Sequence, residues 1–207
     1  MNTALLKYKV ILCLCVAVVL GACGDSDPQP KPYGYFRIDF PEKSYREFQH
    51  EQVTFRYPDY ATVIVDPMKN HQEDWFDISF PAFNATIHLS YHHINNDFYT
   101  LVEDARSLAL KHIQKASGIR QTLIQHDSTR VYGLIYDISG VGTASACQFF
   151  LSDTTTNFLR GALYFSIAPN NDSLAPIIRF IRQDIDTLAH SLQWKPQINA
   201  SREMMGF

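Results

Sequence analysis

The chain opens on a greasy run, Val10 to Leu20 (VILCLCVAVVL), with Lys7 and Lys9 ahead of it and small, then acidic, residues behind it. Eleven apolar residues are too few for a transmembrane helix, which needs about 20. A basic start and a short apolar core are instead the pattern of an export signal. The next stretch, GDSDPQPKPYG (Gly24 to Gly34), is polar with three prolines and predicts an extended, semi-rigid tether. From Tyr35 the period falls to two. VTFRYP, ATVIV and DWFDISFPAFNATIHLSYHHI alternate, with Ile87, Leu89 and Tyr91 on one face and His88, Ser90 and His92 on the other, which predicts strands. Pro81 cannot donate to a central ladder and marks a turn between two of them.

The period lengthens in DFYTLVEDARSLALKHIQKA (Asp97 to Ala116), where Leu101, Ala105, Leu108, His112 and Lys115 share one side of a helix and Gly118 is placed to cap it. Four strand patterns follow: RQTLIQHD, TRVYGLIYDIS, SACQFFLSD and FLRGALYFSIA, the last two joined by a turn at Thr154 to Asn157. The final element has the cleanest signature. In DSLAPIIRFIRQDIDTLAHSLQW, Leu174, Ile177, Ile178, Ile181, Ile185, Leu188 and Leu192 form a helical stripe, with Ser173 as the expected cap and Pro176 in the first turn.

Strands outnumber helices and succeed one another as hairpins, so the expected fold is α+β, an antiparallel sheet with two main helices packed on it. The order strands, helix, strands, helix is similar to the folds of PsbP and Mog1, a likeness of topology that carries no function. No internal repeat or second linker divides the chain. The expected parts are a signal at 1–22, a lipidated cysteine and tether at 23–34, a single domain at 35–195 and a flexible tail at 196–207.

The cysteine that ends the greasy run changes the picture. Leu20-Gly21-Ala22-Cys23 resembles a bacterial lipobox, in which the Cys23 thiol takes a diacylglycerol before cleavage makes it the first residue. Acyl chains of the palmitate kind contribute about 0.8 kcal/mol per buried CH₂, so several of them hold a domain on a membrane stably. Gly24, not an acidic residue, follows Cys23. An inner-membrane retention signal is therefore absent, and the outer membrane, facing the periplasm, is the expected address.

Processing leaves 185 of the 207 residues and takes 18 basic residues to 16 against 21 acidic, a net charge of about −5. No basic block remains for nucleic acid. Cys13 and Cys15 leave with the signal, so Cys147 stands alone beside an acylated Cys23 and no intramolecular disulfide can form.

Candidate chemistry is thin. His88 and His92 on a strand lie about 13–14 Å apart end to end, too far to share one metal, and His93 points away; no metal site is expected. Ser139 to Ser145 is glycine-rich but lacks a P-loop lysine and a GxSxG elbow, so it reads as a hairpin connection. Cys147 shares an alternating face with Phe149 and Leu151 and reads as a small buried hydrophobe. Asp184, Asp186, Glu103 and Asp104 read as solvated helix surface. Asp137 is the one acid whose strand position turns it inward, without partners that would make it an acid or base. Phe36, Phe40, Phe55, Tyr57, Trp75, Phe76 and Phe80 read mostly as core, with some left for a partner surface.

Several long segments in order resemble the gliding-motility lipoprotein GldD family of the Bacteroidetes. They are PYGYFRIDFPEKSY (Pro32 to Tyr45), FNATIHLSY (Phe83 to Tyr91), EDARSLALKH (Glu103 to His112), VYGLIYDISG (Val131 to Gly140), QFFLSDTTTNFLRGALYF (Gln148 to Phe165) and NDSLAPIIRFIRQDI (Asn171 to Ile185). The resemblance implies an accessory component of the gliding and type IX secretion machinery, partnered by its proteins. It brings no catalytic residues and no cofactor. The chain departs from the family pattern at GVGTASA (Gly140 to Ala146), where a Gly-Asn start is expected. The site residues that follow are Cys23 for lipid, with Tyr35, Phe36, Arg37, Gly140, Gly142 and Ser145 as candidate partner contacts. Two other functions stay open. One is a small-ligand module for lipid or glycan, with Trp75 or Tyr136 in an apolar cavity; the other is an envelope hydrolase using Asp137 or the histidines.

Overall fold

The computed structural model of the protein describes residues 37–65, 73–111, 114–140, 142–167 and 171–196, together with Lys7 and Lys9. Cys23, the tether, Tyr35, Phe36, His112 and residues 197–207 lie outside these, as does all of the export signal but those two lysines.

The alternating stretches form two antiparallel sheets. The smaller is ordered β1-β2-β10, from β1 (Tyr45–Gln49), β2 (Val53–Pro58) and β10 (Gln193–Trp194). The larger holds β3 (Thr62–Val65), β4 (Glu73–Phe80), β5 (Ala85–His93), β6 (Gly118–His126), β7 (Val131–Ser139), β8 (Ser145–Ser152) and β9 (Asn157–Phe165), in the order β3-β4-β5-β9-β8-β7-β6. Helix α1 (Phe98–Leu110) carries the chain from β5 to the far edge, so that the meander β6 to β9 returns and β9 pairs with β5. Helix α2 (Asn171–Ser191) follows β9.

The two faces of the large sheet are buried by different partners. On one, Phe76, Ile78, Ile87, Leu89, Phe149 and Leu159 join one core with Ile181, Ile185 and Leu188 of α2 and Val53 and Phe55 of β2. On the other, Tyr136, Phe150 and Phe158 pack with Ala105 and Ala109 of α1. Each such large side chain contributes about 1.5–3 kcal/mol when fully buried. Strand β8 is covered on both faces and buried along its whole length, with Cys147, Phe149 and Leu151 in the α2 core and Phe150 in the α1 core. Pro81 opens the short 3-10 turn Pro81–Phe83 between β4 and β5.

Four expectations give way. The first helix stops at Leu110, and Gly118 begins β6 instead of capping it. Small Ala105 and Ala109 set the contact, so the buried side is turned from Leu108. Ser173 is inside α2, which starts at Asn171, and Pro176 lies beyond the first turn. Trp75, grouped with the core, is 54% exposed on β4.

Thr154, at φ 67°, forms the expected turn between β8 and β9. Asp153 Oδ1 organises it by accepting the backbone N–H groups of Thr155, Thr156 and Asn157 at 3.0, 2.7 and 2.9 Å. Burial alone would raise the Asp153 pKa; these bonds and the Asn157 side chain outweigh it and hold the carboxyl below its ordinary value. No helix among the described residues is long and apolar enough to cross a membrane.

Candidate functional site

A cleft of about 230 Å³ opens where β6 and β7 meet the first turns of α2, lined among others by Arg120, Asp137, Gly140, Asn171, Arg179 and Arg182. Asp137 and Arg120 are register partners on neighbouring strands, which puts both side chains on the face that α2 covers. Arg182 Nε donates to Asp137 Oδ1 at 2.7 Å, and Arg120 Nη2 donates to Asp137 Oδ2 at 3.2 Å. Arg182 Nη1 also donates to Asp186. Burial alone would disfavour the Arg182 charge, but the bonds to Asp186 and Asp137 outweigh it and raise its pKa above the usual guanidinium value. Two cations stand at the mouth. Arg120 is 79% exposed in its side chain, and Arg179 is exposed with no hydrogen-bond or ion-pair partner among the described residues.

The glycine loop borders this cleft. Gly140 has φ +136°, and a Cβ there would lie 2.5 Å from the Lys115 carbonyl oxygen, so both conformation and space require glycine. Gly142, at φ +130°, faces open space. Ser145 is fully buried; its hydroxyl donates to Leu163 O at 3.0 Å and Cys147 O at 3.2 Å across a register shift in β8. Asn171 ties α2 to the loop by donating to Thr143. Arg37 is exposed and paired with Asp39 at 3.1 Å.

A second polar cluster overturns the surface reading of Asp184, which is only 2% exposed. Its Oδ1 accepts from Lys43 Nζ at 2.6 Å and from the Tyr45 hydroxyl at 2.9 Å, and its Oδ2 from the Tyr60 hydroxyl at 2.6 Å. Lys43 also donates to Tyr60 and to Phe180 O, each at 2.8 Å, with Nζ 3.5 Å from the Phe180 ring centroid. Every polar atom is matched, so the cluster pins the amino-terminal segment to α2. Sequence reasoning missed it because its members are separated by well over a hundred residues, Lys43 and Asp184 by 141.

Burial, with Asp184 adding to it, pushes the Tyr60 and Tyr45 phenols above the ordinary value of 10.0. Burial pulls the Lys43 ammonium below 10.5 against the pull of Asp184. A phenol raised on folding contributes stability that is intact below about pH 10 and is lost as pH rises further, while the lysine contribution runs the other way and ends near 10.5. Melting temperature should therefore fall steeply above about pH 10.5, and Tyr60→Phe should fall less steeply; parallel curves in a pH series of thermal melts would refute this.

His88 Nδ1 lies 2.7 Å from Asp77 Oδ1 across β4 and β5. No group of three or more His, Cys, Asp or Glu side chains among the described residues could hold a metal. Cys147 is fully buried, and burial raises its thiol pKa well above the ordinary value. Tyr136 is packed in the α1 core, while Trp75 is exposed on β4 with three strands between them in the sheet order, so the two do not share a cavity. A wider groove of about 500 Å³, lined among others by Thr129, Arg130, Asp153, Trp194 and Lys195, lies at the β6–β7 and β8–β9 turns. Trp194 Nε1 donates to Arg130 O there at 3.0 Å.

Fold and site together define an antiparallel α+β domain whose surface offers an arginine-lined cleft. Residues 25–194 match the family described as "Gliding motility lipoprotein GldD", and the chain belongs to that family. Membership makes it a lipoprotein of the cell envelope linked to gliding motility. No curated protein matches the chain. Among solved structures, it is similar to the cyanobacterial PsbP (CyanoP) of Synechocystis sp. PCC 6803 at 11% identity, with a TM-score of 0.43, over 85% of this chain and 99% of that one.

Proposed function

We propose that the protein is a non-enzymatic accessory or assembly component of the gliding motility and type IX secretion machinery. In this reading Cys23 carries the lipid, residues 1–22 are the signal, residues 24–34 are the tether, and the domain from residue 35 faces the periplasm from the outer membrane. The observation that carries it is the family match over residues 25–194; the lipobox-like Leu20 to Cys23 supplies the anchor. Anchoring confines the domain to two dimensions and raises its effective concentration for envelope partners without any new contact. The Asp137 carboxylate fits a holding role, because both of its oxygens are occupied by guanidiniums. Arg37, Tyr35 and Phe36, with Gly140 and Gly142 beside the cleft, are the proposed contact regions; Ser145, expected as a contact, is fully buried with its hydroxyl bonded within β8 and to β9 and is not among them.

The test is co-purification of the lipidated protein from its own envelope in mild detergent after crosslinking, read by mass spectrometry. Gliding or type IX secretion proteins should be recovered well above a Cys23→Ala control. Recovery of the protein alone would sink the reading and favour a second one, a lipid- or glycan-binding module. That alternative draws on the groove beside Trp194, where an indole lies among threonine hydroxyls and the cations Arg130 and Lys195.

A further inference from the structure

Strand β6 ends the large sheet, pairing with β7 through nine consecutive residues from Gly118↔Ser139 to His126↔Val131, with no strand on its outer side among the described residues. An open edge is a template for another chain, and proteins guard such edges with short strands, proline, lysine or bulges. The opposite terminal strand, β3, is four residues long. Counting charged side chains as guards too, β6 carries only one, Arg120. The strand is nine residues, GIRQTLIQH, without proline, lysine or register shift, and Leu123 is 67% exposed on it.

Its single formal charge, Arg120, lines the cleft. The bonds of Arg120 to Asp137 Oδ2 are long, 3.2 Å from Nη2 and 3.4 Å from Nε, whereas Arg182 holds the other oxygen at 2.7 Å. Arg120 can therefore turn to a better acceptor while Arg182 holds Asp137 in place. Arg179, on α2 at the same cleft, has no partner among the described residues. Asp137 and Asp172 also line the cleft. They leave too little surplus positive charge for a doubly charged phosphate, so a single carboxylate fits better.

We infer that β6 is a docking strand, which receives an extended segment of a partner protein as an eighth strand, with a carboxylate of that segment seated between Arg120 and Arg179. Main-chain bonds to β6 supply affinity and the arginine pair supplies selectivity, as in other strand-addition complexes. The inference rests on the accessory-component reading for the partner's identity only; the binding chemistry stands apart from it.

The test uses the full lipidated protein in detergent micelles and two acetylated octapeptides, one alternating valine with glutamate and one alternating valine with lysine. The glutamate peptide should bind about tenfold tighter or more than its lysine counterpart, and should slow backbone amide exchange in β6 but not in β3. The double reversal R120E/R179E should invert the preference. Arg106→Glu, on α1 and away from the cleft, makes the same kind of charge reversal and should leave affinity within about twofold. Because R120E/R179E adds acid beside Asp137, R120Q/R179Q serves as the milder variant, and it should lose the preference without losing its melting transition. Equal binding of both peptides to the wild type, protection outside β6, or an equal loss on Arg106→Glu would overturn the proposal. Co-purification of the wild type, set beside its peptide binding, separates the two readings. Machinery recovered without peptide binding by the wild type overturns the docking strand alone, whereas peptide binding with nothing recovered from the envelope leaves β6 standing and sinks the accessory role.

Discussion

Replacing Asp184 with alanine is expected to lower stability by about 3–5 kcal/mol, because removing one partner of a buried ion pair strands the other. The carboxylate is the shared acceptor of Lys43, Tyr45 and Tyr60, so its loss leaves an ammonium and two hydroxyls searching for water in a half-buried site. For a domain of this size the loss corresponds to roughly 6–20 °C in Tm. The double variant Lys43→Met with Asp184→Leu should recover much of it, since a well-packed apolar pair is often as stable as the ion pair it replaces. Thermal melts of the two singles and the double at pH 7 decide the matter; a single that melts with the wild type would show that the cluster contributes nothing.

Gly133→Ala should be nearly as damaging, at about 3 kcal/mol, the upper end of what overpacking usually costs. A Cβ on Gly133 would sit 1.9 Å from the Phe150 carbonyl oxygen and 3.1 Å from the Leu151 Cα, and both are backbone. Nothing can rotate out of the way, so β7 and β8 must separate in the middle of the sheet. Gly118→Ala is the matched control. A Cβ there meets nothing within 4 Å, and the variant should be neutral or gain up to about 1 kcal/mol from a less flexible unfolded chain. Equal chemical-denaturation midpoints for the two alanine variants would refute the steric account.

The elements that sequence predicted well are those whose signal is local. The α2 stripe reads directly from Leu174 to Leu188, and Leu174, Ile181, Ile185 and Leu188 are buried. The turn at Pro81 is legible because proline cannot serve a ladder. Gly118 misled because a glycine after a helical pattern suits a cap and a strand start equally, and only the pairing with Ser139 chooses between them. Trp75 misled because its size favours burial, while its place on the outer face of β4 is fixed by register.

The site was legible in part. Gly140 stood out as a glycine loop, yet the cations beside it come from β6 and from α2, at Arg120, Arg179 and Arg182, and no spacing rule joins them. Asp184 and Asp186 look alike in sequence. One is buried against a lysine and two phenols while the other pairs with Arg182 near the surface, and that difference exists only once α2 has docked.

The clamp at Lys43 also sets a mechanical limit. The segment ahead of β1 lies along α2, with the Phe40 ring stacked 4.5 Å from Phe180 and Lys43 fastened to Asp184. If Cys23 carries the lipid, as proposed, the chain from it to Lys43 is a leash spanning twenty residues, at most about 70 Å when taut. A pull from the membrane reaches this buttoned segment and α2 before it reaches the β1–β2 hairpin. The working radius of the domain is then set by one internal ion pair: while it holds, the leash has a fixed length, and if it yields under load the domain gains slack before any strand is peeled from its sheet.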